Sequence, residues 1–105
     1  MEILETSYFT RRLQSILLDE EYRHLQELLV SRPDTGTVIP GSGGLRKIRW
    51  GKMGHGKRGG VRVIYYWAVE QHRIFMVLIY SKNEQDDLTL EQLKILRKII
   101  EEEYP

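Results

Sequence analysis

From Asp19 the chain places Tyr22, Leu25, Leu28 and Leu29 at the three- and four-residue spacing of one helical face, behind acids and ahead of Pro33. The segment DEEYRHLQELLVSRP is therefore predicted to be an amphipathic helix. Before it, EILETSYF can form a short strand and TRRLQSILL a helical turn or two. After it, PDTGTVIPGSGG is dense in turn residues and leaves room for only a brief edge strand around Val38 and Ile39.

Three apolar runs follow, and strands are predicted over 45–51, 61–69 and 74–81. The second, VRVIYYWAV, is β-branched and aromatic at both odd and even positions, the pattern of a central strand covered on two sides. The short EQHR connection to IFMVLIY implies an antiparallel hairpin. TLEQLKILRKIIEEEY closes the chain as a helix, with Thr89 and Gln92 spaced as a capping box and Leu93, Leu96 and Ile100 as its core stripe. The elements predict an α+β domain with an antiparallel-rich sheet and its helices on one face.

Composition narrows the function classes. A chain of 105 residues, 41% hydrophobic and 30% charged, is expected to fold as a single domain over 1–105, with little material for a separate cofactor domain. No apolar run approaches the roughly 20 residues of a membrane helix. The start MEILETSYFTRR lacks the basic and apolar regions of a secretory signal, so a cytoplasmic protein is expected. Without cysteine there are no disulfides or thiolate metal sites, and His24, His55 and His72 are too scattered to suggest a metal by spacing. No cofactor is expected.

The net charge is only +1, but it is unevenly spread. Residues 35–69 hold no acid and carry Arg46, Lys47, Arg49, Lys52, Lys57, Arg58 and Arg62. A local cationic field on a nearly neutral protein fits a confined anion site such as one or two phosphates. The plainer alternative is solvated charge on loops and strand edges. Alternation puts Lys47 and Arg49 on one face and Ile48 and Trp50 on the other, with Arg62 opposite Val61, Val63 and Tyr65. Neighbouring strands could gather Lys47, Arg49, Arg62, Tyr80 and Lys82 in one concavity, rimmed by Lys57 and Arg58 from the glycine-rich GKMGHGKRGG.

Such a cluster suits RNA cleavage by a 2′-hydroxyl attacking its own phosphate. The reaction needs a base, cations for the developing phosphoryl charge and an acid for the leaving oxygen, and it demands no metal. The catalytic candidates are Lys47, Arg49, Lys57, Arg62 and Lys82. Substrate-binding candidates are Arg46, Lys52, Arg58, Tyr66 and Tyr80, the aromatic rings offering platforms for an unstacked base. Trp50 is a further stacking candidate, and Trp67 is expected to matter through stability.

The run LRKIRWGKMGHGKRGGVRVIYYWAVEQHRIFMVLIYSKNEQDDLT resembles the RelE/HigB group of bacterial toxins from toxin–antitoxin pairs, in the RelE/ParE superfamily. The carriers are the LRKIR strand, the GKRGGVRVIYY junction and IYSKNEQDDLT leading into the last helix. The likeness is closest to the HigB-like branch, whose GKGKRGG type of loop here reads GHGKRGG, with His55 substituted.

The resemblance implies a small sheet with two N-terminal helices on one side and a C-terminal helix. It implies an mRNA interferase, an endoribonuclease acting at the ribosomal decoding site. It also implies a cognate antitoxin, expected to be a helix-turn-helix DNA-binding protein. Lys47, Arg49 and Arg62 inherit roles directly. The family's late arginine falls on Asn83 and its helix-start tyrosine on Thr89, so the acid–base assignment stays open. Lys82 or Lys57 could take over proton transfer, with Arg62 and Arg58 as phosphate clamp, Lys47 or Lys82 as base, and Lys52 in looser contact with ribosomal RNA. His55 is read as solvent-facing. Two alternatives stand beside this: a ParE-like inhibitor of DNA gyrase, and an RNA- or ribosome-binding module that does not cut.

Overall fold

A computed structural model describes residues 1–51, 60–85 and 87–103. Among these the elements run β1 (Glu2–Glu5), α1 (Ser7–Ile16), α2 (Asp19–Ser31), β2 (Thr37–Val38), β3 (Leu45–Trp50), β4 (Val61–Ala68), β5 (Arg73–Ser81) and α3 (Leu90–Glu103). The strands form one sheet in the order β1-β5-β4-β3-β2. β1 lies parallel to β5, and the remaining pairs are antiparallel. The fold is the expected α+β type.

The first helix begins earlier than its sequence pattern suggests, taking Ser7, Tyr8 and Phe9 out of the expected strand. Thr6 is the reason. Its buried hydroxyl accepts from the Phe9 N–H at 3.1 Å and donates to the Val77 carbonyl at 2.7 Å. One side chain thus caps α1 and ties its start to β5, which a strand continuing through Phe9 could not do. α2 starts with Glu21 accepting from the Leu18 N–H at 2.8 Å, and its opening acids Asp19, Glu20 and Glu21 sit at the positive end of the helix dipole.

β4 is apolar on both faces because both are covered, and the covering divides the helices. Val63 and Tyr65 of β4 pack with Phe9, Leu25 and Leu29 from α1 and α2. Ile64 of β4 packs with Leu93, Leu96 and Ile100 from α3. The three helices therefore do not share a face: α1 and α2 cover one side, and α3 covers part of the other. An amphipathic C-terminal helix could not join α1 and α2 without leaving Leu45, Ile64 and Phe75 in water.

Two local devices set side-chain positions. In β5, Ile64 pairs with Leu78 and Tyr65 with Met76, leaving Val77 as an extra residue. This bulge sends Val77 and Leu78 both toward α3, while Met76 and Ile79 on either side face α1 and α2. In the 32–36 connector, the buried Tyr65 hydroxyl accepts from the Gly36 N–H at 2.8 Å and donates to the Pro33 carbonyl at 2.7 Å. A Cβ on Gly36 would stand 2.7 Å from the Tyr65 ring, so glycine is required there by close approach.

α3 starts as its sequence predicts. Thr89 Oγ1 accepts from the Gln92 N–H at 3.1 Å, and Gln92 Oε1 accepts from the Thr89 N–H at 2.9 Å.

Candidate functional site

On the α3 side of the sheet, Arg49, Arg62 and Tyr80 stand opposite one another in a single row across β3, β4 and β5. The next row on that side is Lys47, Ile64 and Leu78. Lys47 and Arg62 are thus diagonal neighbours, about 7–8 Å apart at the backbone. Like charges placed directly across a ladder are unfavourable, so the Arg49 and Arg62 pair carries a cost that an anionic counterpart would offset. Arg62 is only 4% exposed, whereas Arg49 is open to solvent.

An anion from the chain itself already reaches this place. Lys47 Nζ donates to Asp87 Oδ1 at 2.6 Å, joining β3 to the connection between β5 and α3. The Asp87 carboxyl is held below its usual range, first by this hydrogen bond and charge from Lys47 and further by the positive fields of Arg49 and Arg62. Lys47 makes the contact, and the two arginines act on the same carboxylate from farther off. Upstream in the same connection, the Arg12 guanidinium of α1 donates to Glu84, whose carboxyl is lowered chiefly by that contact. Glu84 also accepts from the Ser81 N–H at 3.2 Å.

Beside the Lys47–Asp87 pair lies a cavity of about 290 Å³, lined by Lys47, Asp87, Ile64, Tyr80, Pro40 and Leu93 among others. Its walls are mostly apolar and its charged groups sit together. A phosphate at the cations with a neighbouring ring against the apolar wall is the kind of ligand this arrangement can hold.

The remaining candidates are placed differently. Lys82 is exposed just beyond β5, where its N–H donates to the Gly60 carbonyl at 3.3 Å, and so it borders the Arg62 end of the sheet. Tyr80 shares the arginine row but is 1% exposed among the residues that pack on α3, which removes its ring as a platform for a base in this state. Tyr66 lies on the same face four residues along β4, stacked on Phe75 with ring centres 6.5 Å apart, near the end of α3 and away from the cations.

Arg46 is on the opposite face. It donates to the carbonyls of Gly36 at 2.8 Å and Asp34 at 3.2 Å and lies 5.9 Å over the Trp67 ring, so it fastens the α2–β2 connector to the sheet. Trp50 also faces away from the cluster, its indole donating to the Glu21 carbonyl at 3.2 Å. Asn83 is exposed, and Thr89 serves as the helix cap. Lys52, His55, Lys57 and Arg58 lie outside the described residues, as does the glycine-rich loop on which the HigB-like resemblance rests.

Sequence reasoning did not find Asp87, Glu84 or Arg12. An acid-rich stretch after residue 83 is visible in the sequence, but nothing local reveals that Asp87 meets a lysine 40 positions away. Among the described residues no group of three or more His, Asp or Glu side chains could hold a metal ion, and no helix is long and apolar enough to cross a membrane.

The two-faced α+β sheet places the chain in a class of small domains that comparison with known proteins identifies. The family described as the RelE toxin of the RelE/RelB toxin–antitoxin system matches residues 1–103, and the chain belongs to that family. Among solved structures it is similar to an arginine-to-alanine double mutant of the E. coli toxin RelE in the free state, with a TM-score of 0.57. That likeness covers 81% of this chain and 86% of the E. coli chain at 14% identity, and it speaks to the fold.

Proposed function

We propose that this RelE-family toxin is a ribosome-dependent mRNA endoribonuclease that stops translation, kept in check by a cognate antitoxin. The observation that carries the reading is the facing pair Arg49 and Arg62 with Lys47 diagonal to them, a concentration of positive charge without acids on its own strands. Oriented cations of this kind stabilise the charge that builds on phosphoryl oxygens during in-line attack by a 2′-hydroxyl. Arg62, largely buried and fixed in the central strand, is the phosphate clamp, and Arg49 reaches the same group from solvent.

Lys47 or Lys82 is assigned the base. While Lys47 donates to Asp87 it cannot accept a proton, so its use as base requires that contact to open. Lys57 and Arg58 complete the proposed set from the loop, with Lys52 toward ribosomal RNA. The antitoxin is proposed to be a helix-turn-helix protein on the strength of the resemblance, and the cell interior follows from the same target.

Induced expression with mapping of mRNA 5′ ends tests the reading. Translation-dependent cuts within codons are expected. Intact messages with altered DNA supercoiling would replace it with gyrase inhibition, and intact messages on stalled ribosomes would leave a binding module. Because Arg62 is buried, Arg62→Gln is a better probe than alanine, which would open a void. It and Lys82→Ala are each expected to relieve growth arrest at equal soluble protein with an unchanged circular dichroism spectrum. Full toxicity in either variant would remove that residue from the site.

A further inference from the structure

We propose that Asp87 is an internal occupant of the anion site, its carboxylate standing where a substrate phosphate would sit over Lys47, Arg49 and Arg62 and leaving when an RNA backbone enters. The inference rests on the phosphodiester reading of the cationic face and adds a built-in competitor to it.

Geometry and chemistry support the substitution of one anion for another. A carboxylate oxygen and a non-bridging phosphate oxygen offer an ammonium the same acceptor, and the 2.6 Å contact from Lys47 is that of a charge-assisted hydrogen bond. The strands supply no acid of their own, since residues 35–69 contain none, so the negative charge must come from elsewhere. It is delivered by a short connection held in place on both sides. Glu84 is bound to Arg12 upstream, and the Thr89–Gln92 box begins α3 downstream. Between them Gln85 exchanges side-chain hydrogen bonds with Gln92 at 2.9 and 3.1 Å and donates to the Asp87 carbonyl at 2.7 Å.

The backbone of Asp87 is thus steadied from one side while its carboxylate faces the cations. That carboxylate is also exchangeable: the Asp87 side chain is 76% exposed against 23% for Lys47, so an incoming anion can compete from solvent without unpacking the core. Exposed ion pairs of this kind are weak. An RNA strand presenting several phosphates displaces the carboxylate readily, whereas a single small anion gains less.

The test uses the full chain and a fluorescein-labelled 2′-O-methyl RNA hexanucleotide, which lacks the attacking hydroxyl, read by fluorescence polarisation across a salt series. Asp87→Asn keeps the size of the side chain and removes its charge. It is expected to bind the RNA about two- to fivefold more tightly than the parent. Its log K against log salt should be steeper by about 0.7, because Lys47 then meets a phosphate in place of a carboxylate.

Glu70→Gln loses an equal charge from the exposed β4–β5 turn, at the end of β4 remote from Arg62, and is expected to leave affinity unchanged. Equal or weaker binding by Asp87→Asn, an equal gain in Glu70→Gln, or no binding by either the parent or Asp87→Asn would overturn the proposal. Message mapping in cells is read separately. Tighter binding by Asp87→Asn beside uncut messages would keep the internal occupant and remove the nuclease.

Discussion

Tyr65, Arg46 and Gly36 show how one residue can be fixed by several at once. Tyr65 is buried under α1 and α2, its hydroxyl bound to both Gly36 and Pro33, and burial pushes its phenol above the usual range. Gly36→Ala would drive a methyl group into that ring, with the Lys47 carbonyl 3.1 Å away on another side. A loss of about 1–3 kcal/mol is expected, measurable by urea unfolding, and Tyr65→Phe should cost a similar amount because it strips the buried Gly36 N–H of its acceptor. Arg46→Ala should cost about 1–2 kcal/mol through its two carbonyl contacts. Growth arrest should persist in that variant at equal soluble protein, since the side chain lies across the sheet from the cationic row. Trp67 packs against the same core with its indole N–H buried and, among the described residues, without a hydrogen-bond partner. Trp67→Phe is therefore expected to lose less stability than Trp67→Ala, for which about 3 kcal/mol or more is expected in the same unfolding assay.

At the scale of elements, the β5–α3 connection answers to pH. The Glu84 and Asp87 carboxyls are lowered in the folded chain by Arg12 and Lys47, so their contacts contribute above the unfolded carboxylate values and are lost as pH falls through the lower folded ones. Amide protection in the β5–α3 connection, followed by NMR and referred to the intrinsic exchange rate at each pH, is expected to fall below about pH 4 before the sheet itself opens. Unchanged protection there while the sheet melts would show that the two ion pairs do not hold the connection. Elements with their determinants nearby were legible in the sequence. α2 follows from its spacing, the hairpin from its short turn, and α3 from Thr89 and Gln92. The start of α1 was not, because the partner that fixes Thr6 is Val77, 71 residues away. In the site, alternation placed Lys47, Arg49 and Arg62 on one face, but the register that sets Arg49 against Arg62 and the Asp87 counter-charge arise from long-range pairing that no local pattern encodes.

Across the whole molecule the two faces of the sheet are covered unequally. One face is sealed by α1 and α2 and holds the larger buried cluster, with Phe9, Leu25 and Tyr65 inaccessible to solvent. The other is only partly covered, α3 sealing Leu45, Ile64 and Phe75 and leaving the Arg49 end open. The larger packed layer and the cationic row are thereby kept on different sides of a shared central strand, which lets charges at the open end vary without disturbing the layer under α1 and α2.

Val77 gives this division a local joint. Excising that single residue would set Met76 directly before Leu78 and leave every other side chain of β5 on its present face, so the ladder to β4 would close without inversion. What would vanish is a fully buried valine and the carbonyl that holds the Thr6 hydroxyl. Deleting Val77 should thus cost more in urea unfolding than Val77→Ala, which keeps that carbonyl, and the added cost should come from uncoupling the start of α1 from the sheet.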